Sequence, residues 1–129
     1  MVLLGGVHAS FGQGLDLSSP PPPPPAPTAE PVFDPFHAAK SIEIGTFYMK
    51  RGNYDAAIDR FEEAAAYQPN LARPWELLGE VYEKKHDSAK ALESYKTYLR
   101  ILPDATDGDK IRKHIAALSQ ELTSKSAKK

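Results

Sequence analysis

The sequence predicts an all-α fold in which antiparallel helix hairpins stack on one another and a last helix closes the stack. Three observations carry this. Gly45 and Gly79, Tyr48 and Tyr82, Ala57 and Ala91, Phe61 and Tyr95, Pro69 and Pro103, and Ile44 and Leu78 all share one 34-residue offset. A fixed period of that size marks a repeated supersecondary unit. Within each period the apolar residues recur at helical spacing, Ile44 with Tyr48 on one segment and Ala57, Phe61 and Ala64 on the next. Pro69 and Pro103 then end the second helix of each copy, because proline cannot continue a helix.

Each element has its own justification. The first helix is expected over 35–51, since Asp34 is a cap residue and Pro35 suits the first helical position. Arg51-Gly52-Asn53 separates it from a second helix over 54–67. Glycine accepts the left-handed conformation at a helix end, and asparagine can cap the next helix. A third helix is expected over 71–85 and a fourth over 88–101. The turn between them, His86-Asp87-Ser88, does its work without glycine and should be strained or wider. Asn70 and Asp104, after the two prolines, are turn or cap formers. A fifth helix over 107–122 carries Ile111, Ile115, Leu118 and Leu122 on one stripe, with Lys110, Arg112, Lys113 and Gln120 off it. Gly45 and Gly79 are costly inside helices, by about 1 kcal/mol against Ala. They point to close helix–helix approach, with Ala57 and Ala91 as the small residues on the partner helix.

Written as a pattern, the first copy is Ser41-x-x-Ile44-Gly45-x-x-Tyr48, then Ala57-x-x-x-Phe61, then Pro69. The second is Trp75-x-x-Leu78-Gly79-x-x-Tyr82, then Ala91-x-x-x-Tyr95, then Pro103. This pattern resembles the tetratricopeptide repeat. The resemblance covers 38–71 and 72–105 as two repeats, and it departs at Ser41, where Trp is usual. It implies a short right-handed α-solenoid of two repeats plus the capping helix 107–122.

The resemblance also implies a non-enzymatic interaction module. Such arrays bind peptides or partner proteins in a concave groove lined by the first helix of each repeat. Carried over by repeat position, the groove residues are Ile42, Thr46, Met49 and Lys50 from the first copy, and Arg73, Glu76, Glu80 and Glu83 from the second. Glu76, Glu80 and Glu83 succeed one another at helical spacing as an acidic stripe beside the apolar Ile42 and Met49. The expected partner is a protein or peptide segment with basic and apolar side chains. The alternative is a structural protein that dimerises through the ends of its short stack, since so small an array has little core of its own.

The remaining chain narrows the function further. The length of 129 residues fits one domain, and a net charge of −1 argues against nucleic-acid binding through a basic surface. The chain has no cysteine, so disulfides, thiolate metal sites and thiol nucleophiles are excluded. His8, His37, His86 and His114 are scattered outside any metal-ligand spacing, and no nucleophile-elbow or phosphate-loop motif occurs. No catalytic residue, metal or cofactor is therefore expected. Residues 1–17 read as a leader. Met1 to Val7 is a short apolar run, and Val7-His8-Ala9 resembles a small-x-small cleavage site, although the basic start of a signal peptide is missing. The run is too short to span a membrane. Export from a bacterial cell, to the periplasm or beyond, is the expectation, with a cytoplasmic location as the alternative. Residues 18–33 read as a linker. Pro20 to Pro25, then Ala26 and Pro27, form a stiff polyproline segment of about 25 Å. Residues 123–129 read as a disordered basic tail; from Gly108 onward there are six Lys or Arg against two Asp or Glu.

Overall fold

The computed structural model describes residues 32–128. The expected leader, and the expected linker up to residue 31, lie outside the described residues. The described part consists of five helices: α1 (Pro35–Lys50), α2 (Tyr54–Tyr67), α3 (Arg73–Lys84), α4 (Ser88–Ile101) and α5 (Gly108–Ala127). The main packing runs between chain neighbours, α1 on α2, α2 on α3, α3 on α4 and α4 on α5. That nearest-neighbour order is the architecture of a helix-hairpin solenoid.

Local chemistry sets the boundaries. Asp34 caps α1 by accepting from the His37 amide, and Pro35 occupies the first turn. Asn53 and Asp87 cap α2 and α4 in the same manner, accepting from the Ala56 and Lys90 amides. The two intra-repeat turns share one hydrogen-bond pattern. Gly52 donates to Met49 O and Asn53 to Tyr48 O; at the matching turn of the second copy, His86 donates to Glu83 O and Asp87 to Tyr82 O. Gly52 has φ +75° and His86 φ +59°. The second turn is thus strained and no wider, because His86 carries a Cβ into the left-handed region. Two boundaries differ from expectation. Helix α3 starts at Arg73 rather than 71: Leu71 is held in a turn by its amide to Gln68 O, and Ala72 rather than Asn70 is the cap, with no side-chain bond. Helix α5 continues through the segment expected to be a disordered tail, reaching Ala127. Lys125 pairs with Glu121 one turn earlier at 2.8 Å, and a basic residue in the last turn complements the helix dipole.

The core falls into two linked clusters. The first joins Ala57, Ile58 and Phe61 of α2 to Leu77, Leu78 and Val81 of α3. The second gathers Ala91, Tyr95 and Tyr98 of α4 with Ile111 and Leu118 of α5 and with Ala72. Trp75 and Tyr82 border both and join them. The glycines stand at the close helix–helix approach expected, and an aromatic ring comes nearest to each. A Cβ on Gly45 would lie 2.6 Å from Cε1 of Phe61, and one on Gly79 would meet the Tyr95 ring, 2.6 Å from its Cδ1. Each glycine therefore makes room for the aromatic ring of its own repeat, while Ala57 and Ala91 are fully buried one turn before those rings on the same helices. Ser41, standing where Trp75 stands in the second copy, is buried, and its hydroxyl donates to Glu63 at 3.0 Å. Arg60 holds the same carboxylate at 2.8 Å and is the chief reason the Glu63 carboxyl lies below its ordinary pKa. Polar bonding thus closes the site where an indole would have filled space.

Candidate functional site

Helices α1, α3 and α5 hold the same place in successive hairpins. Extending the 34-residue offset once more puts Ile42, Glu76 and Lys110 at one level, Thr46, Glu80 and His114 at the next, and Met49, Glu83 and Ala117 at a third. Helix α5 keeps the offset only on its inner side. Ile111 and Ile115 correspond to Leu77 and Val81, whereas Lys113 and Ala116 stand where Gly79 and Tyr82 would make a further hairpin. It therefore packs as the first helix of a third repeat would, without the glycine and tyrosine of the repeat pattern.

A cavity of about 420 Å³ opens between α3 and α5, lined by Glu80, Glu83, Lys84, Lys110, Ile111 and His114, with Tyr95 beside them. Glu83 anchors it. One of its carboxylate oxygens accepts from the Tyr95 hydroxyl at 2.7 Å, and the other lies 3.1 Å from Nδ1 of His114. The His114 ring also packs on Tyr95, with centroids 5.3 Å apart. Burial, and then the hydrogen bond to Glu83, push the Tyr95 phenol far above its ordinary pKa. It stays a protonated donor at every ordinary pH, and this fixes Glu83. Glu80 is half-buried, while Lys84 and Lys110 are exposed, so the cavity presents both acidic and basic groups. Lys110, Lys113 and His114 line a second, more open depression on α5.

The eight residues expected to line the groove differ in how open they are. Ile42 and Met49 are half-buried and pack against the first core cluster. The Thr46 hydroxyl donates back to Ile42 O at 2.8 Å, and Lys50 is exposed. Arg73 is exposed and pairs with Glu76, which is only 6% exposed. Glu76 thus belongs to an internal network beside Tyr98 and Asp107, the Tyr98 hydroxyl donating to Asp107 at 2.6 Å. Of the acidic stripe, Glu80 and Glu83 reach the cavity, and only Glu80 lacks a side-chain partner among the described residues. Lys110 and His114 line the cavity although the sequence pattern did not single them out. Carrying the Glu76 and Glu80 positions forward by one more period would have found them.

Among the described residues, no helix is long and apolar enough to cross a membrane. They hold no cluster of three or more His, Asp or Glu fit to bind a metal. The family profile described as tetratricopeptide repeat matches residues 43–106. The tetratricopeptide repeat domain-containing protein PYG7, chloroplastic, of Arabidopsis thaliana is 33% identical over 61 residues, covering 47% of this chain and 20% of the relative. The chain therefore spans about a fifth of the length of that relative. Repeat period, hairpin packing and profile match agree, and the chain belongs to the tetratricopeptide repeat family.

Proposed function

We propose that this protein is a non-enzymatic adaptor that holds a peptide segment of a partner protein in the groove between α3 and α5. Tetratricopeptide repeats generally mediate protein–protein interaction. The observation that carries the reading here is a cavity lined by Glu80, Glu83 and Lys84 of α3 and by Lys110 and His114 of α5, so that acidic and basic groups meet in it. A segment with a basic side chain towards Glu80 and a carboxylate towards Lys110 complements it, with an apolar contact on Ile111 at the floor. Such pairing gives register and selectivity more than raw affinity. Ile42, Met49 and Lys50 of α1 would extend the same surface.

Capture from a lysate of the source organism with the full chain tests this. Glu80→Lys and Lys110→Glu are the variants to use, because Glu76 and Glu83 are tied into the fold and their reversal would confuse folding with binding. Loss of the captured partner in both variants, at unchanged helical content, is the expected result. An identical set of captured proteins would place the binding surface elsewhere. A role in the bacterial envelope rests on the apolar run at 1–7, and fractionating cells that carry the full chain with a C-terminal tag tests it. A second reading, self-association, draws on the exposed face of α1.

A further inference from the structure

Helix α1 leaves a seat open that every later hairpin fills. Leu77 and Val81 of α3 are 2% and 0% exposed because α2 packs over them. Ile111 and Ile115, the next pair along, pack into the cluster that α4 forms with α5. The corresponding residues of α1 are Glu43 and Phe47, and among the described residues no helix precedes α1 to cover them. Phe47 is 52% exposed, and Phe36, three turns away on the same stripe, is 76% exposed. Lys40 and Glu43 lie between the two rings, both exposed, paired at 3.0 Å. Arg51 stacks its guanidinium over the Phe47 ring at 4.3 Å, and Val32 and Phe33 add exposed apolar surface beyond the other end.

We propose that this face binds the same face of a second copy, α1 against α1, antiparallel about a two-fold axis. The order along the stripe, Phe36, Lys40, Glu43, Phe47, is what points to a second copy. It reads apolar, basic, acidic, apolar, and it is its own complement when reversed. With the axis passing between Ser41 and Ile42, the two phenylalanines lie about 8 Å either side of it at about 1.5 Å per residue, and Lys40 and Glu43 about 2 Å either side. Phe36 of one copy then meets Phe47 of the other, twice, and Lys40 meets Glu43, twice. This is the isologous arrangement that closed dimers use. A head-to-tail arrangement has no such match, because the outer side of α5 offers Arg112, Lys113 and Ala116 to the two rings. Two rings from each copy and two ion pairs in all make a small interface, so the dimer is a weak one that forms with rising concentration. The groove between α3 and α5 is on other helices and takes no part.

Sedimentation velocity of the full chain over a range of concentrations tests the pairing. The wild type is expected to pass from monomer to dimer, and Phe47→Asp to raise the dissociation constant at least about tenfold. The register is tested by charge. Lys40→Glu faces acid with acid across the axis, and Glu43→Lys faces base with base, so each variant alone is expected to remain monomeric where the wild type dimerises. Mixed in equal amounts they restore both ion pairs, and a heterodimer is expected. Helical content, measured alongside, should match the wild type, since all three side chains are exposed. A wild type that stays monomeric throughout overturns the proposal, and leaves the face to another protein or to residues 1–31. A dimer indifferent to these substitutions, or two single variants that do not combine, overturns it as well.

Discussion

Replacing Gly79 with alanine should destabilise the protein, although alanine is the better helix former. Inside a helix the change by itself is worth about 1 kcal/mol in favour of Ala. The new methyl would arrive 2.6 Å from Cδ1 of Tyr95, and that ring is almost fully buried among α4 and α5. Overpacking of this kind costs about 1–3 kcal/mol. If the ring moves away, its hydroxyl leaves Glu83, and a hydrogen bond to a charged group is worth about 1.5–3 kcal/mol. The balance is a loss of about 1.5–5 kcal/mol. Urea denaturation with far-UV circular dichroism measures it, as a lower midpoint at unchanged slope. The decisive arm puts the same substitution into a Tyr95→Leu background, where no ring stands in the way. There Gly79→Ala should be stabilising, by up to about 1 kcal/mol relative to Tyr95→Leu alone. Should Gly79→Ala prove neutral or stabilising in the wild type, or equally harmful in both backgrounds, the ring is not what requires the glycine.

The same structure sets the remaining outcomes. His86→Gly should stabilise by about 1 kcal/mol, because it removes a Cβ from a left-handed turn residue; Gly52→Ala should do the reverse at the matching turn, since nothing else lies near its Cβ, and thermal melts of both variants check the pair. Stability should fall as pH rises above about 10, the range in which unfolded phenols ionise. Burial and a carboxylate partner raise the phenols of Tyr95 and Tyr98, the latter to about 12, so the folded state keeps protons that the unfolded chain has released. That stabilisation is complete below a pH of about 10 and is lost on rising through the folded values; Tyr98→Phe should flatten part of the slope in a pH series of denaturation curves. Ending the chain after Asp107 should expose Tyr95, Tyr98 and Leu92 by removing Ile111, Ile115 and Leu118, and should unfold the second repeat before the first in hydrogen exchange.

The fold was legible because the fold is periodic. Ile44, Tyr48, Phe61 and their counterparts one period on repeat the same packing, and punctuation by Asp34, Gly52, Asn53 and the prolines sets the ends. What the period could not reveal was which atom faces which. Gly45 and Gly79 announced a close approach, but the spacing alone did not tell the small Ala57 and Ala91 from the rings of Phe61 and Tyr95 as the group approached. The groove was legible only in part. Counting along α3 put Glu76, Glu80 and Glu83 on one stripe, yet Glu76 is covered where Tyr98 and Asp107 close over it, a contact with residues far along the chain. Lys110 and His114 stayed hidden because α5 lacks the glycine and tyrosine that signal a repeat. The end of α5 departs from expectation because serine and lysine are as common in tails as on exposed helix faces, and the Lys125–Glu121 pair is visible only once the helix is built.

The way α5 seats on α4 bears on how such a chain can grow. Ile111 and Ile115 use the register that Leu77 and Val81 use on α2, so α4 and α2 offer related surfaces, differing where Tyr98 stands for Ala64. Residues 72–105 are one full period, and α5 seats on their second helix in the register in which their first helix seats on α2. A duplication in frame would lengthen the array by one hairpin without disturbing either end, and a deletion would shorten it in the same way. Array length is therefore a variable that a gene can change in a single recombination event, with the closing helix already in place for any number of hairpins.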